Sequence, residues 1–136
     1  MFLQIRVKEG DVNSGLELYL RSNQPVMAAK LLMENPSLLE DEALVERVSV
    51  ALVKNEVFDK AGELFEELQQ PQRAVECYRR AKAFAKAIHI ARGSFPEEVV
   101  SLEEEWAQWL YDEGNFDAAI NHFLGTFLTL SNLLLT

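Results

Sequence analysis

The sequence predicts an all-α protein, an α-solenoid of stacked helical hairpins with about eight helices. Three observations predict it. A phrase recurs: ELYLRSNQPVMA at residues 17–28 returns as ELFEELQQPQRA at 63–74, 46 positions on, keeping Glu, Leu, an aromatic, Gln, Pro and Ala in register. Small residues recur with a large apolar or aromatic residue four positions later, and often another apolar residue three before. Prolines stand at the joints of the pattern.

An internal repeat decides the fold before any local propensity does. Residues i, i+3 and i+7 share one helix face, so each set is a buried stripe with a small residue at its centre, where two helix backbones can approach closely. The small anchors are Gly15, Ala28, Ala61, Ala74, Ala87 and Ala119, separated by 13, 33, 13, 13 and 32 positions. Steps of 32 and 33 match the roughly 34-residue helix-turn-helix unit of tetratricopeptide repeats. Steps of 13 are one short helix and a turn.

Taken in order, residues 1–9 alternate Leu3, Ile5 and Val7 with polar residues. A lone strand has nothing to pair with, so this leader is expected to be disordered or the remnant of a preceding element. The repeat region covers residues 10–124. Val12, Gly15 and Tyr19 define the first helix; Pro25, in a first turn where its missing amide has no partner, opens the second around Ala28 and Leu32. Pro36 precedes a longer third helix, about Leu38 to Lys54, with acid near its start, where the helix dipole favours it. Phe58, Ala61 and Phe65 mark the fourth. Pro71 opens the fifth around Ala74 and Tyr78, and Phe84 with Ala87 marks the sixth more weakly. Pro96 precedes the seventh, about Glu97 to Asp112, and Phe116, Ala119 and Phe123 mark the eighth.

Neither helix of a hairpin can hide its apolar face alone, so hairpins stack. The predicted interface is Leu18 and Leu64 with Tyr19 and Phe65. Trp106 and Leu110 are expected against Ala119 and Phe123.

Of 136 residues, 49% are hydrophobic and 26% charged, and Pro (4) and Gly (6) are too sparse for a linker, so a single domain or a piece of one is expected. The net charge of −9 speaks against broad attraction to nucleic acid or anionic lipid. The charge is unevenly spread. Arg73, Arg79, Arg80, Lys82, Lys86 and Arg92 face only Glu76 between residues 73 and 92, and no Lys or Arg follows. The lone Cys77 and the absence of a secretory signal point to a reducing, intracellular setting. Residues 125–136 form an atypical apolar tail. Asn121, His122, Gly125, Thr126, Thr129, Ser131 and Asn132 interrupt the uncharged run from Ala118, so no transmembrane segment is expected.

The search for chemistry finds no convergent groups. His89 and His122 stand on separate units without a second ligand at helical spacing, so no metal is expected. Cys77 and His89, 12 positions apart, invite a nucleophilic reading, but a small apolar residue beside the Ala74–Tyr78 stripe accounts for Cys77 better. Glu103, Glu104 and Glu105 point in different directions on a helix and read as a solvated face. Trp106 and Trp109 read as core aromatics rather than a cofactor platform. No phosphate loop, nucleophile elbow or paired-cysteine motif is present, so no cofactor and no enzyme activity are expected. The candidate partner-binding residues are Arg79, Arg80, Lys82 and Lys86. Arg79, Lys82 and Lys86 would form one stripe on a continuous helix, but a turn is expected near Lys82. The basic groups either neutralise neighbouring acidic helices or dock an acidic protein; no aromatic is interleaved for nucleic acid.

The stretches GDVNSGLELYLRSNQPVMAAKLL, FDKAGELFEEL, RAVECYRRAKAFAKAIHIAR, FPEEVVSLEEEW and FDAAINHF resemble the helical-repeat region of the intraflagellar transport protein 172 family. The resemblance implies a non-catalytic scaffold of intraflagellar transport complex B in ciliary transport and cilium assembly. It places the chain in the cilium, the ciliary base and the cytoplasm, with other subunits of the transport machinery as partners. It further implies a fragment or short isoform, because such proteins join β-propellers to a far longer helical array. A segment of a vesicle-coat or other trafficking scaffold is the alternative, set aside on FPEEVVSLEEEW. Solenoid ends need polar caps, so the apolar tail is expected to drive self-association.

Overall fold

The computed structural model describes residues 11–135. Among them are eight α-helices and no strand: α1 (Val12–Arg21), α2 (Pro25–Glu34), α3 (Glu42–Lys54), α4 (Phe58–Glu67), α5 (Pro71–Arg80), α6 (Phe84–Ser94), α7 (Val99–Asp112) and α8 (Phe116–Leu135). Short 3₁₀ segments, Pro36–Glu40 and Pro96–Glu98, precede the two longer helices expected from Pro36 and Pro96. Helix α3 begins a few residues later than the pattern suggests because Asp41 caps it, its carboxylate accepting from the Leu44 amide at 3.2 Å. The leader, residues 1–9, lies outside the described residues.

Five turns share one geometry. Asn23, Glu56, Gln69, Lys82 and Gly114 have φ between 56° and 84°, and in each case the next helix begins two residues on. The intervening amide donates to the carbonyl five residues back: Gln24 to Tyr19, Val57 to Leu52, Gln70 to Phe65, Ala83 to Tyr78 and Asn115 to Leu110, all at 2.8–2.9 Å. Each is a Schellman cap, which satisfies carbonyls that the helix end would leave orphaned. Only Gly114 reaches this conformation without a Cβ penalty. The repeat is therefore written in backbone geometry as well as in side chains.

The described chain forms two compact units, one through Gln70 and one from Pro71. In the first, α1 packs on α2, α2 on α3 and α4, and α3 on α4. Leu16, Ala28, Leu32, Val48, Leu52, Ala61 and Leu64 are fully enclosed. Each large aliphatic side chain so buried contributes about 2 kcal/mol relative to exposure. Ser49 is also buried, its hydroxyl donating to the Val45 carbonyl at 2.8 Å, so it carries no unmet polarity. Leu64, Tyr19 and Phe65 are core residues as expected, but Leu18 is 42% exposed. Leu18 is the repeat partner of Leu64, yet α4 is packed by both α2 and α3 whereas α1 packs on α2. Leu16, fully enclosed, fills the core from α1 instead.

In the second unit α5 packs on α6, α6 on α7, and α7 most extensively on α8. Ala74, Tyr78, Phe84, Ala87 and Ala91 are enclosed, and Phe84 meets Trp106 and Trp109 at ring-centroid distances of 6.1 and 6.0 Å. Ala107 on α7 and Ala119 on α8 are both enclosed, which places small side chains where the two helices meet. Phe123, expected in that interface, is 41% exposed. Thr126 takes the buried position, its hydroxyl donating to the His122 carbonyl at 3.0 Å. The reason is register: Ala119, His122 and Thr126 follow the helix at steps of three and four, while Phe123 lies one residue out of that stripe.

Helix α8 runs without interruption through Gly125 to Leu135, so the apolar tail extends the last repeat helix. By length and composition alone, α8 is long and apolar enough to cross a membrane. Its Ala119, His122 and Thr126 face is, however, packed on α7.

Candidate protein-interaction site

The basic residues do not lie along one helix. Arg79 and Arg80 close α5, Lys82 holds the positive φ of the turn, and Lys86 lies in the first turn of α6. The turn expected near Lys82 therefore divides the stripe that a continuous helix would make.

Each basic group has its own surroundings. The Arg79 guanidinium donates from Nε to Glu105 Oε2 of α7 at 2.5 Å and from Nη1 to Glu76 Oε2 at 3.2 Å. Arg80 Nε lies 3.4 Å from Glu76 Oε1. Lys86 Nζ lies 5.4 Å from the Tyr78 ring centroid and Lys82 Nζ 6.0 Å from that of Phe84, so both ammonium groups stand over aromatic faces. All four are exposed. A charged cluster with aromatic backing and acid-paired arginines can dock an acidic segment by exchanging its internal carboxylates for those of a partner.

The triple glutamate is not simply a solvated face. Glu104 is exposed, but Glu105 holds Arg79, and the Glu103 side chain is only 18% exposed. Glu103 Oε2 lies 3.8 Å from His122 Nδ1 and Oε1 lies 3.8 Å from Arg92 Nη2. His122 also stacks against Trp106, 4.0 Å between ring centroids. Sequence reasoning missed this cluster because its partners come from three helices, and no local spacing announces it.

The two catalytic candidates differ in setting. His89 is exposed on α6, whereas Cys77 is buried on α5. Desolvation pushes the Cys77 thiol up from its ordinary range, opposed only in part by Arg73 and Arg80. That is the reverse of an activated thiolate. Among the described residues no group of His, Cys, Asp or Glu could hold a metal ion. An open groove of about 570 Å³ on the first unit, between Leu20, Asn23, Val50, Ala51, Lys54 and Asn55, contains no catalytic constellation.

Fold and surface together define an all-α helical-repeat protein. No family model matches the chain. The chain is similar to a segment of intraflagellar transport protein 172: it is 43% identical over 121 residues to the Homo sapiens homologue and 44% to that of Danio rerio, each match taking in 89% of this chain. It is 39% identical over 126 residues, 93% of the chain, to intraflagellar transport protein 172 of Chlamydomonas reinhardtii, and 40% identical to intraflagellar transport protein osm-1 of Caenorhabditis elegans. The match spans 7% of the length of these curated relatives.

Proposed function

We propose that the chain is a non-catalytic scaffold segment of the intraflagellar transport machinery, acting within complex B in ciliary transport and cilium assembly. The observation that carries this reading is the similarity to intraflagellar transport proteins from animals and an alga along 89–93% of a chain that folds as helical repeats. A repeat array offers extended surface without a catalytic pocket, which suits a scaffold. Its partners are other protein subunits of that machinery, met in the cilium, at the ciliary base and in the cytoplasm. One contact is an acidic segment docking on Arg79, Arg80, Lys82 and Lys86. The apolar residues from Gly125 onward add self-association, and α8 does not span a membrane.

The vesicle-coat alternative shares the architecture but has no support among the relatives. Proximity labelling in ciliated cells tests the reading. The wild-type chain is expected to label intraflagellar transport subunits, and a variant with Glu at the four basic positions is expected to lose some of them. A neighbour set without such subunits overturns the function; an unchanged set in the variant removes the basic residues from it.

A further inference from the structure

The basic residues at the α5–α6 turn already hold carboxylates. Glu76 pairs with Arg79 and Arg80, and Glu105 pairs with Arg79. Four cations, counting Lys82 and Lys86, stand against these two carboxylates, so the cluster keeps a net positive charge after its internal pairing. The kind of group its arginines accept is thereby on display. Glu76 lies on α5, three and four residues before the arginines, and travels with them. Glu105 comes from α7.

The origin of Glu105 is decisive. Helices α5 and α7 both pack on α6, and the Arg79–Glu105 hydrogen bond at 2.5 Å joins them directly. Hydrogen bonding and charge attraction from Glu105, ahead of those from Glu76, hold the Arg79 guanidinium above its ordinary pKa. The Arg79 and Glu105 side chains are 46% and 34% exposed, so the pair is open to water and to a competing carboxylate. Exposed ion pairs contribute little to stability, so a partner's carboxylate can displace this one. We infer that Glu105 is an internal competitor for the docking surface, a latch that must release Arg79 before an acidic segment can engage it. The inference rests on the acidic docking proposed above and deepens it, because it names the residue that restrains the site.

The latch sets both affinity and response. A site whose binding-competent state is only fractionally populated shows an apparent dissociation constant raised by the inverse of that fraction. Glu105 therefore keeps the grip on an acidic segment modest. The coupling is reciprocal, so a bound acidic segment displaces Glu105 and loosens the tie between α5 and α7. Lys82 and Lys86, standing over the rings of Phe84 and Tyr78, supply positive charge beside the latch.

Fluorescence anisotropy of a labelled hexaglutamate peptide against the full chain, at low ionic strength where exposed charges are least screened, tests the inference. Glu105→Gln keeps the size of the side chain and removes its charge. Glu104→Gln removes the same charge from the exposed neighbouring position and controls for net charge. The Glu105→Gln variant should bind about three- to fivefold more tightly than the Glu104→Gln variant. That gain should vanish when both variants also carry Arg79→Gln, with circular dichroism confirming retained helicity throughout. Equal affinities for the two variants, or a gain that persists without Arg79, overturn the latch and leave docking on the basic residues intact. If neither wild type nor the Glu105→Gln variant binds, or if Lys82→Glu with Lys86→Glu leaves binding unaltered, the docking reading and the latch fall together.

Discussion

The His122 imidazole lies against the Trp106 indole, 4.0 Å between ring centroids, and so ties α8 to α7. Trp106 in turn stacks on Phe84 of α6, with an interplanar angle of 16°. One indole thus joins three consecutive helices of the second unit.

Trp106→Ala should therefore destabilise the second unit by about 2–3 kcal/mol, below the value for a fully enclosed tryptophan because this one is half-buried. His122→Ala removes only one side of the stack and should cost about 1 kcal/mol. Urea titration of both variants, read by helicity, measures the difference.

The enclosed alanines have no room to grow. Ala74→Leu and Ala119→Leu should each destabilise by about 1–3 kcal/mol through overpacking. Lower denaturation midpoints at an unchanged urea dependence would show that packing, not compactness, is altered.

The hairpin turns offer the opposite sign. Glu56 and Lys82 sit at φ 59° and 61° with Cβ atoms that oppose this conformation. Glu56→Gly and Lys82→Gly should each stabilise by about 0.5–1 kcal/mol, and Gly114→Ala, at φ 84°, should destabilise by about 1 kcal/mol. Thermal melts of the three variants check the signs together.

Helix content, the proline-started helices and the enclosed alanine anchors were legible in the sequence because each depends on a local period. Tyr19, Phe65, Ala61, Ala74 and Ala119 all lie in the core as that period requires. Leu18 and Phe123 were misplaced for different reasons. Leu18 depends on how many helices flank its own, and Phe123 on a one-residue choice of stripe within an apolar helix. The Glu103–His122 contact was illegible because it joins positions 19 apart on different helices. Periodicity finds faces; it does not find which faces meet.

Acid should act at an identifiable pair in the first unit. Both Nη atoms of Arg47 donate to the Glu17 carboxylate, and this hydrogen bonding, aided by charge attraction, holds the Glu17 carboxyl below its ordinary value. A folded-state value below the unfolded one contributes stability above the unfolded value, and that contribution is lost as pH falls through the folded one. Glu17→Gln should remove this part of the acid-side loss, leaving a shallower decline in stability below about pH 4. Because both groups are exposed, the difference should shrink in high salt.

Backbone chemical shifts from solution NMR test the central claim most directly. The account predicts helical shifts over the eight helices, interrupted by left-handed signatures at Asn23, Glu56, Gln69, Lys82 and Gly114. Uninterrupted helix through Lys82, or extended shifts between residues 42 and 112, would contradict it.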